Sequence, residues 1–312
     1  VYMFTDAQGE VLYVGKASNL RSRVRSYFGT NESRTKVGSL LKLMQGIEFI
    51  QTPDLLTAEV LELRIIGRLR PRYNHAGTRT AKYCYVRLTT DEEWPRLMVS
   101  KTPSAKGLCI GPISTRNMAT EVVDAIESVI PLRRCTVRMG RNYVAPEGAP
   151  VCSAARLGLA QCPCSGTAEP ESYANAVQQA ADALTGKSSF VRDALTERMN
   201  AHSEAQRYEE AAYLRDRIQT FETVLRRQEQ AEKLCQQGKF TVSFDNIVYE
   251  VDNGVLASTR NADQLFMPLS SLSKQVQAAI IPPAGVHDDH GVLRNDAMDE
   301  VLCIAKFLEA QK

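Results

Sequence analysis

The first 28 residues combine two short β-prone runs with a basic helix, and this succession restricts what the N-terminus can fold into. Residues 1–4 and 11–14 have the composition of strands, and the turn-forming run 6–9 between them predicts a β-hairpin. Apolar side chains then recur at helical spacing over residues 20–28, and again over 57–69. The sequence therefore predicts a small α/β unit at the N-terminus.

The predicted helix after the hairpin is rich in positive charge. Lys16, Arg21, Arg23 and Arg25 follow one another without an intervening acidic residue. The first 74 residues contain eleven lysines and arginines against seven acidic residues, whereas the formal net charge of the whole chain is only +2. A surface for nucleic acid is therefore expected to be local and to lie near the N-terminus.

The hairpin and the two helices together offer groups suited to phosphodiester cleavage. Gly15 permits a tight exit from the second strand, which places Lys16 at the mouth of the turn. Arg23 and Tyr27 lie one helical turn apart on one face, and Glu62 is the best nearby carboxylate. A carboxylate suits a hard divalent cation, an arginine stabilises a charged phosphate, and a tyrosine can relay a proton. Spacing alone still favours a solvated basic helix with a packed tyrosine.

A longer set of residues strengthens the nuclease interpretation. It consists of Tyr2, the run YVGKASNL at 13–20, Arg23, Tyr27 with Phe28, Leu61 with Glu62, and the run RPRYN at 70–74. In order and spacing these residues resemble the GIY-YIG nuclease domain of UvrC and of its shorter relative Cho. Thr57 departs from the pattern, because the family often has an acidic residue at this position.

The resemblance implies a role for each matching residue. Glu62 would bind a metal ion, Mg²⁺ or Mn²⁺, and Arg23 would bind phosphate. The rest of the implied site consists of Tyr2, Tyr13, Lys16, Tyr27 and Asn74. The identity of the tyrosine that acts as base stays open, and Tyr27 and Asn74 also fit a supporting role in packing or hydrogen bonding.

Four of the eight cysteines, Cys135, Cys152, Cys162 and Cys164, lie close together, while the other four are scattered. Such a group suits an iron–sulfur centre or zinc, whereas isolated cysteines are usually small core residues. The runs PLRRC and CPCSG around the group resemble UvrC, a family in which four cysteines are implicated in an iron–sulfur cluster. The resemblance therefore implies a [4Fe–4S] cluster. Because Ala160 stands at the position of the third family cysteine, zinc and the absence of any metal remain alternatives.

Residues 195–225 have the pattern of an antiparallel helical pair. Apolar residues from Ala211 to Leu225 repeat at spacings of three and four and form a seam for a partner helix, and Leu195 and Met199 supply apolar positions on the first helix. The segment resembles the UVR motif shared by UvrB and UvrC, which implies docking to a UvrB-like protein. A hairpin that only completes an intramolecular core is an equal alternative.

The sequence predicts four segments in a chain of the α/β (α+β) class. They are a GIY-YIG endonuclease domain over 1–75, a linker and cysteine-rich domain over 76–187, a UVR-like helical hairpin over 188–237 and a small α+β domain over 238–312. Residues 287–290, although rich in histidine and aspartate, are expected to form a polar loop. No apolar run approaches the roughly 20 residues that span a bilayer, and no signal pattern opens the chain, so we expect a cytoplasmic protein without a membrane partner.

The two ends of the chain lead to further expectations about the full-length protein and about the number of incisions. The chain begins within a strand-like run without a methionine, which indicates a piece of a longer protein. The tail over 238–312 resembles the part that follows UvrC-like halves in bacterial proteins with an N-terminal proofreading-type exonuclease. No second nuclease pattern is recognisable beyond residue 240, so we expect a single incision.

Together these resemblances imply a metal-dependent, structure-specific DNA endonuclease that cuts double-stranded DNA once beside a lesion in nucleotide excision repair. One alternative is a non-catalytic adaptor that uses the nuclease fold as a DNA-binding platform. The other is an accessory nuclease domain of a fused exonuclease. The intact set of Tyr2, Tyr13, Arg23, Glu62 and Asn74 argues against the adaptor.

Overall fold

The structure is a computed structural model that describes residues 1–29, 35–74, 83–166, 168–261, 271–289 and 291–311. The chain divides into two units. The first comprises Val1–Thr80, Gln230–Val286 and Arg294–Lys312, and the second comprises Ala81–Glu229 and His287–Leu293. Each unit mixes helices with small antiparallel sheets, which confirms the predicted mixed class. Among the described residues, no helix is both long and apolar enough to cross a membrane.

A three-stranded antiparallel sheet forms the centre of the N-terminal part of the first unit. Its strands are β1 (Tyr2–Thr5), β2 (Val11–Gly15) and β3 (Gly46–Phe49). The strand order is β2-β1-β3, and Tyr2 lies opposite both Gly15 and Phe49. Because successive strand residues face opposite sides, Met3 enters one buried cluster whereas Tyr2 and Phe4 enter another.

Three helices accompany this sheet: α1 (Leu20–Ser26), α2 (Thr35–Leu43) and α3 (Leu55–Leu69). The Asn19 side chain caps α1 by accepting a hydrogen bond from the Ser22 amide. Asp54 caps α3 in the same way, because its carboxylate accepts from two amides of the first turn. The hairpin, α1 and α3 confirm the sequence prediction, whereas α2 and β3 were not predicted.

The second unit contains a sheet of order β5-β4-β6 and a set of helices. The strands are β4 (Cys84–Leu88), β5 (Leu97–Ser100) and β6 (Leu108–Ile113), and the helices are α4 (Arg116–Glu127), α5 (Ser153–Arg156), α6 (Pro170–Leu184), α7 (Phe190–Glu204) and α8 (Tyr208–Gln236). One buried cluster joins the sheet to α4, α6, α7 and α8 through residues such as Val86, Val122, Tyr173, Leu195 and Phe221. The helical hairpin therefore completes the core of this unit.

The C-terminal residues return to the first unit. The last turns of α8, from Gln230 onward, belong to it, although the sequence prediction grouped them with the helical hairpin. They are followed by the sheet β7-β8-β9 and by two helices. These elements are β7 (Lys239–Phe244), β8 (Ile247–Asp252), β9 (Val255–Asn261), α9 (Lys274–Ile280) and α10 (Asn295–Ala310). We call the set from β7 to α10 the C-terminal element.

The histidine-rich run near the C-terminus has the character of a polar loop in its described part. His287 forms an isolated β-bridge with Leu293, and Asp288 accepts a hydrogen bond from the Val292 amide. His290 lies outside the described residues.

Candidate active site

The hairpin and α1 bring three tyrosines into one aromatic cluster. The ring centroids of Tyr2, Tyr13 and Tyr27 lie 6.0 to 6.2 Å from one another, and Phe4 packs against Tyr27 at 5.1 Å. The hydroxyls of Tyr2 and Tyr27 are 2.8 Å apart and share a hydrogen bond. Tyr2 and Tyr27 are buried, so their hydroxyls depend on partners within the protein.

Arg23 lies beside this cluster on the exposed side of α1. Its Nε donates to the Tyr2 hydroxyl at 3.4 Å, and its guanidinium carbon lies 5.3 Å from the centroid of the Tyr27 ring. The rest of the guanidinium faces solvent. Arg23 is therefore oriented by the two tyrosines while it keeps donors for an anion that arrives from outside.

Burial raises the pKa of all three phenols. The pKa of Tyr13 rises to about 12, first because of burial and then because of Tyr27, while burial also raises the pKa of Tyr2 and of Tyr27 against the opposing effect of neighbouring hydrogen bonds. Each tyrosine is consequently protonated near neutral pH. The cluster can donate hydrogen bonds or pass a proton along them, but it does not hold a resting phenolate.

Glu62 on α3 faces Lys16 at the exit of β2. The Lys16 Nζ lies 3.6 Å from Glu62 Oε2 and 2.9 Å from Glu59 Oε2. Burial raises the pKa of Glu62, and the Lys16 charge opposes that rise. Glu59 was missed at the sequence level, although its position one helical turn before Glu62 places both carboxylates on neighbouring faces.

Asn74 holds strand β2 of the candidate site in place through two hydrogen bonds. Its amide nitrogen donates to the Val14 carbonyl at 2.8 Å and its amide oxygen accepts from the Val14 amide at 2.8 Å, so one side chain satisfies both backbone groups of a strand residue. This arrangement holds β2 next to the segment after α3. The geometry fits the supporting role that the sequence left open.

The structure thus arranges the predicted residues in three places. Tyr2, Tyr13, Tyr27 and Arg23 form the phenol cluster, Lys16 and Glu62 form an ion pair, and Asn74 holds β2. A groove of about 530 Å³, lined by residues 17–20 and 50–55, opens at the N-terminal ends of α1 and α3. Thr57, which departs from the family pattern, turns its hydroxyl toward Thr259 Oγ1 at 3.3 Å.

The four clustered cysteines lie near one another in the second unit. The sulfurs of Cys162 and Cys164 are 3.0 Å apart. Burial and then Cys162 raise the pKa of Cys164, and the charges of Cys135 and Cys152 add to that rise. Although burial opposes it, hydrogen bonds from Cys152 and Cys164 lower the pKa of Cys162 to about 7. Thiols of this kind have the donor chemistry for an iron–sulfur cluster or zinc.

Metal-binding geometry itself is not preformed in the described part of the chain. No group of three or more histidine, cysteine, aspartate or glutamate side chains there is arranged to hold a metal ion. The cysteines therefore fit a cluster by donor type, with contact between Cys162 and Cys164, and Glu62 fits a hard cation as a single carboxylate.

The helical hairpin of α7 and α8 uses much of its apolar seam internally. Leu195 and Phe221 are buried in the core of the second unit, and Leu214 and Ile218 pack against it. The beginning of α8 is different, because Tyr208 and Tyr213 are 65% and 55% exposed. The intramolecular role is thus present, and an apolar surface remains open at one end of the hairpin.

Comparison with protein-family models gives three matches along the chain. Residues 1–75 match a UvrC-like GIY-YIG domain, residues 83–183 match the middle domain of the UvrC/Cho excinuclease, and residues 191–224 match the UvrB/uvrC motif. The candidate site lies within the first of these segments, the cysteine group in the second and the helical hairpin in the third.

Several similar curated proteins share one name, UvrABC system protein C. The UvrABC system protein C of Syntrophus aciditrophicus is 34% identical over 229 residues, which are 73% of this chain and 36% of that protein. Its counterpart in Clostridioides difficile is 32% identical over 233 residues, covering 73% and 38%. The counterpart in Desulforudis audaxviator is 35% identical over 229 residues, covering 73% and 36%. The chain thus spans little more than a third of the length of the curated relatives it matches.

Proposed function

We propose that this chain, which belongs to the UvrC/Cho family, is a structure-specific endonuclease that cuts one phosphodiester of damaged double-stranded DNA in nucleotide excision repair. The observation that carries the proposal is the placement of Glu62, Lys16 and the phenol-bound Arg23 in the segment similar to a GIY-YIG domain. The names of the relatives support the repair function, because they are components of a UvrABC system.

Glu62 is the residue proposed to hold a divalent cation, Mg²⁺ or Mn²⁺. Such an ion would supply Lewis-acid polarisation of the phosphate. Lys16 neutralises the Glu62 carboxylate in its absence, and Glu59 lies close enough to retain Lys16 when Glu62 is engaged elsewhere. The two carboxylates would thereby keep the Lys16 ammonium in place for the phosphate or the leaving oxygen.

Arg23 and the tyrosines are proposed to act on the phosphate and on the proton of the attacking water. The free guanidinium donors of Arg23 would bind non-bridging phosphate oxygens, where charge grows in the transition state. Because each phenol is protonated near neutral pH, a tyrosine that accepts the proton of water must release its own. The hydrogen bond between Tyr2 and Tyr27 offers a path for that second transfer, in which one phenol passes its proton to the other and the last proton leaves to solvent water.

We further propose that Cys135, Cys152, Cys162 and Cys164 hold an iron–sulfur cluster, with zinc as the alternative occupant. In a protein prepared without oxygen, we expect iron and sulfide together with broad visible absorption. Cys164→Ser should lose them, whereas Cys109→Ser, a control outside the group, should retain them. Bound zinc without iron would identify the alternative, and equal loss in both variants would contradict the assignment.

The proposed partners are DNA and a UvrB-like repair protein, the latter bound through residues 195–225. The matching motif and the exposed Tyr208 and Tyr213 support the protein contact. A fused N-terminal exonuclease, expected from the tail of the chain, stays a prediction.

Cleavage of an end-labelled duplex with one bulky adduct tests the proposed function. The protein is assayed with Mg²⁺ or Mn²⁺, with and without a UvrB-like partner, beside Glu62→Gln and the exposed control Glu10→Gln. We expect a discrete cut from the parent and from Glu10→Gln that Glu62→Gln loses. If the parent binds the duplex or the partner but never cuts, the adaptor alternative replaces the nuclease.

A further inference from the structure

The C-terminal element packs along one face of α3, the helix that carries Glu62. Thr57, Arg64 and Arg68 share this face because they are separated by seven and four residues. Glu59 and Glu62 lie on a different face, toward Lys16. Apolar residues of α3 such as Ile65 join Val276 and Ala279 of α9 in one buried cluster. Helix α3 thus lies between the candidate site and the C-terminal element.

Polar contacts follow this face from the beginning of α3 to its last turn. At the beginning, the Tyr249 hydroxyl donates to the capping carboxylate of Asp54 at 2.9 Å. At the end, Arg68 donates to the carbonyls of Ala278 and Ala279 at 2.9 and 3.0 Å. Contacts at both ends prevent α3 from sliding along its axis.

Arg64 and Glu300 form the central contact. The guanidinium makes two hydrogen bonds to the carboxylate, at 2.9 and 2.6 Å, and the side chains are only 7% and 2% exposed. Arg64 also donates to the carbonyls of Ile280 and Leu256, and Glu300 accepts from the Leu256 amide at 2.8 Å. One arginine thereby connects α3 with β9, α9 and α10.

Such a buried pair is sensitive to geometry. Charges removed from water are tolerated only when their partners are well placed, so the pair admits one position of α3 against the C-terminal element. Arg64 is two residues from Glu62 on the same rigid helix. A position imposed on the helix at Arg64 is therefore shared by the backbone that carries Glu62.

We propose that the C-terminal element is a part of the nuclease centre, in which Arg64 and Glu300 are positioning residues that set Glu62 against Lys16. This inference rests on the proposed function and extends it. The three family-model matches end at residue 224, before the C-terminal element begins. The C-terminal element would thus supply contacts to α3, among them the Glu300 carboxylate, that the GIY-YIG segment does not itself contain.

A kinetic comparison of two variants on α10 tests the proposal. Glu300→Gln removes the buried charge but keeps the shape. Glu309→Gln is the matched control because Glu309 is exposed and its side chain, among the described residues, is hydrogen-bonded only to Gln230. We expect Glu300→Gln to lower kcat about 10- to 100-fold, with KM for the DNA unchanged. Glu309→Gln should match the parent. A folded Glu300→Gln protein with the parent's kcat would overturn the proposal.

Two further measurements cover the other outcomes. If Glu300→Gln does not fold, Tyr249→Phe combined with Thr259→Val removes two milder contacts to α3 and must still lower kcat; an unchanged kcat sinks the inference. If the parent cuts no DNA, the proposed function fails, and Mn²⁺ titration decides instead. Glu300→Gln must then bind Mn²⁺ about tenfold more weakly than Glu309→Gln, and equal affinities would refute a positioning role.

Discussion

Gly15 is the residue at which the backbone and the candidate site constrain each other most closely. A Cβ atom at this position would lie 2.5 Å from the Tyr2 hydroxyl, which is too close for any real contact. The Tyr2 hydroxyl in turn bonds Tyr27 and Arg23. The absence of a side chain at Gly15 is thus a requirement of the phenol cluster and not only of the turn.

Substitution of Gly15 by alanine should therefore impair cleavage more than folding. The methyl group displaces the Tyr2 hydroxyl and shifts Arg23, and a displacement of about 1 Å can reduce the rate by about 100-fold. Single-turnover cleavage rates measure the effect. Gly38→Ala on α2 is the control, since a Cβ there meets nothing within 4 Å, and it should cut at the parent's rate. Equal rates for the two variants would argue against the described geometry.

Glu127 in the second unit predicts a pH-dependent stability. Burial raises the pKa of its carboxyl to about 7, despite the opposing charge of Arg134. Between the pKa of a glutamate in the unfolded chain, about 4.3, and the folded value of about 7, the folded state alone keeps the proton. The contribution to stability is therefore full at lower pH, is lost as pH rises towards 7, and changes no further above it. The slope is at most about 1.4 kcal/mol per pH unit for one proton.

Denaturant unfolding from pH 5 to 8 tests the direction in which the unfolding free energy changes with pH. Glu127→Gln resembles the protonated carboxyl, so its unfolding free energy relative to the parent should rise from pH 5 to about pH 7 and stay constant to pH 8. The exposed Glu197→Gln should follow the parent at every pH. A Glu127→Gln protein whose unfolding free energy relative to the parent does not rise over this range would contradict the raised pKa.

At the scale of elements, local chemistry made the hairpin, α1 and α3 predictable. The Asp6 carboxylate accepts from the amides of Gln8 and Glu10 and so closes the turn, and Asn19 caps α1. In contrast, β3 has four residues and owes its strand to pairing with β1, with Phe49 opposite Tyr2. Such a strand is determined by tertiary contacts, which a local pattern does not contain.

The cap of α3 gives the prediction at this scale. Asp54→Ala removes the acceptor of two helix amides and of the Tyr249 hydroxyl, and loss of such a cap costs about 0.5–2 kcal/mol of unfolding free energy. Asp54→Ser retains a capping oxygen and should recover most of the loss. Urea unfolding of the three proteins measures it. Equal stability of the alanine variant and the parent would show that the cap contributes nothing.

At the scale of the whole molecule, the sequence located the candidate residues but not the contacts that hold them. The motif identified Glu62, Arg23 and the tyrosines, because the type and order of residues can be read directly from the sequence. The Arg64–Glu300 pair joins residues 236 positions apart, and no periodicity reports such a contact. Residues of α9 also share a buried cluster with the nuclease segment, another long-range contact that no local pattern reports. The four-segment division itself stays a prediction.

The central claim is that one centre, built around Glu62, makes one incision. It is tested most directly by an adduct-bearing duplex labelled at both ends of both strands, cut by the parent and by Glu62→Gln under the same metal and partner conditions. We expect a single cut in one strand by the parent and none by Glu62→Gln. A second cut by the parent, or any cut that survives in Glu62→Gln, would contradict it.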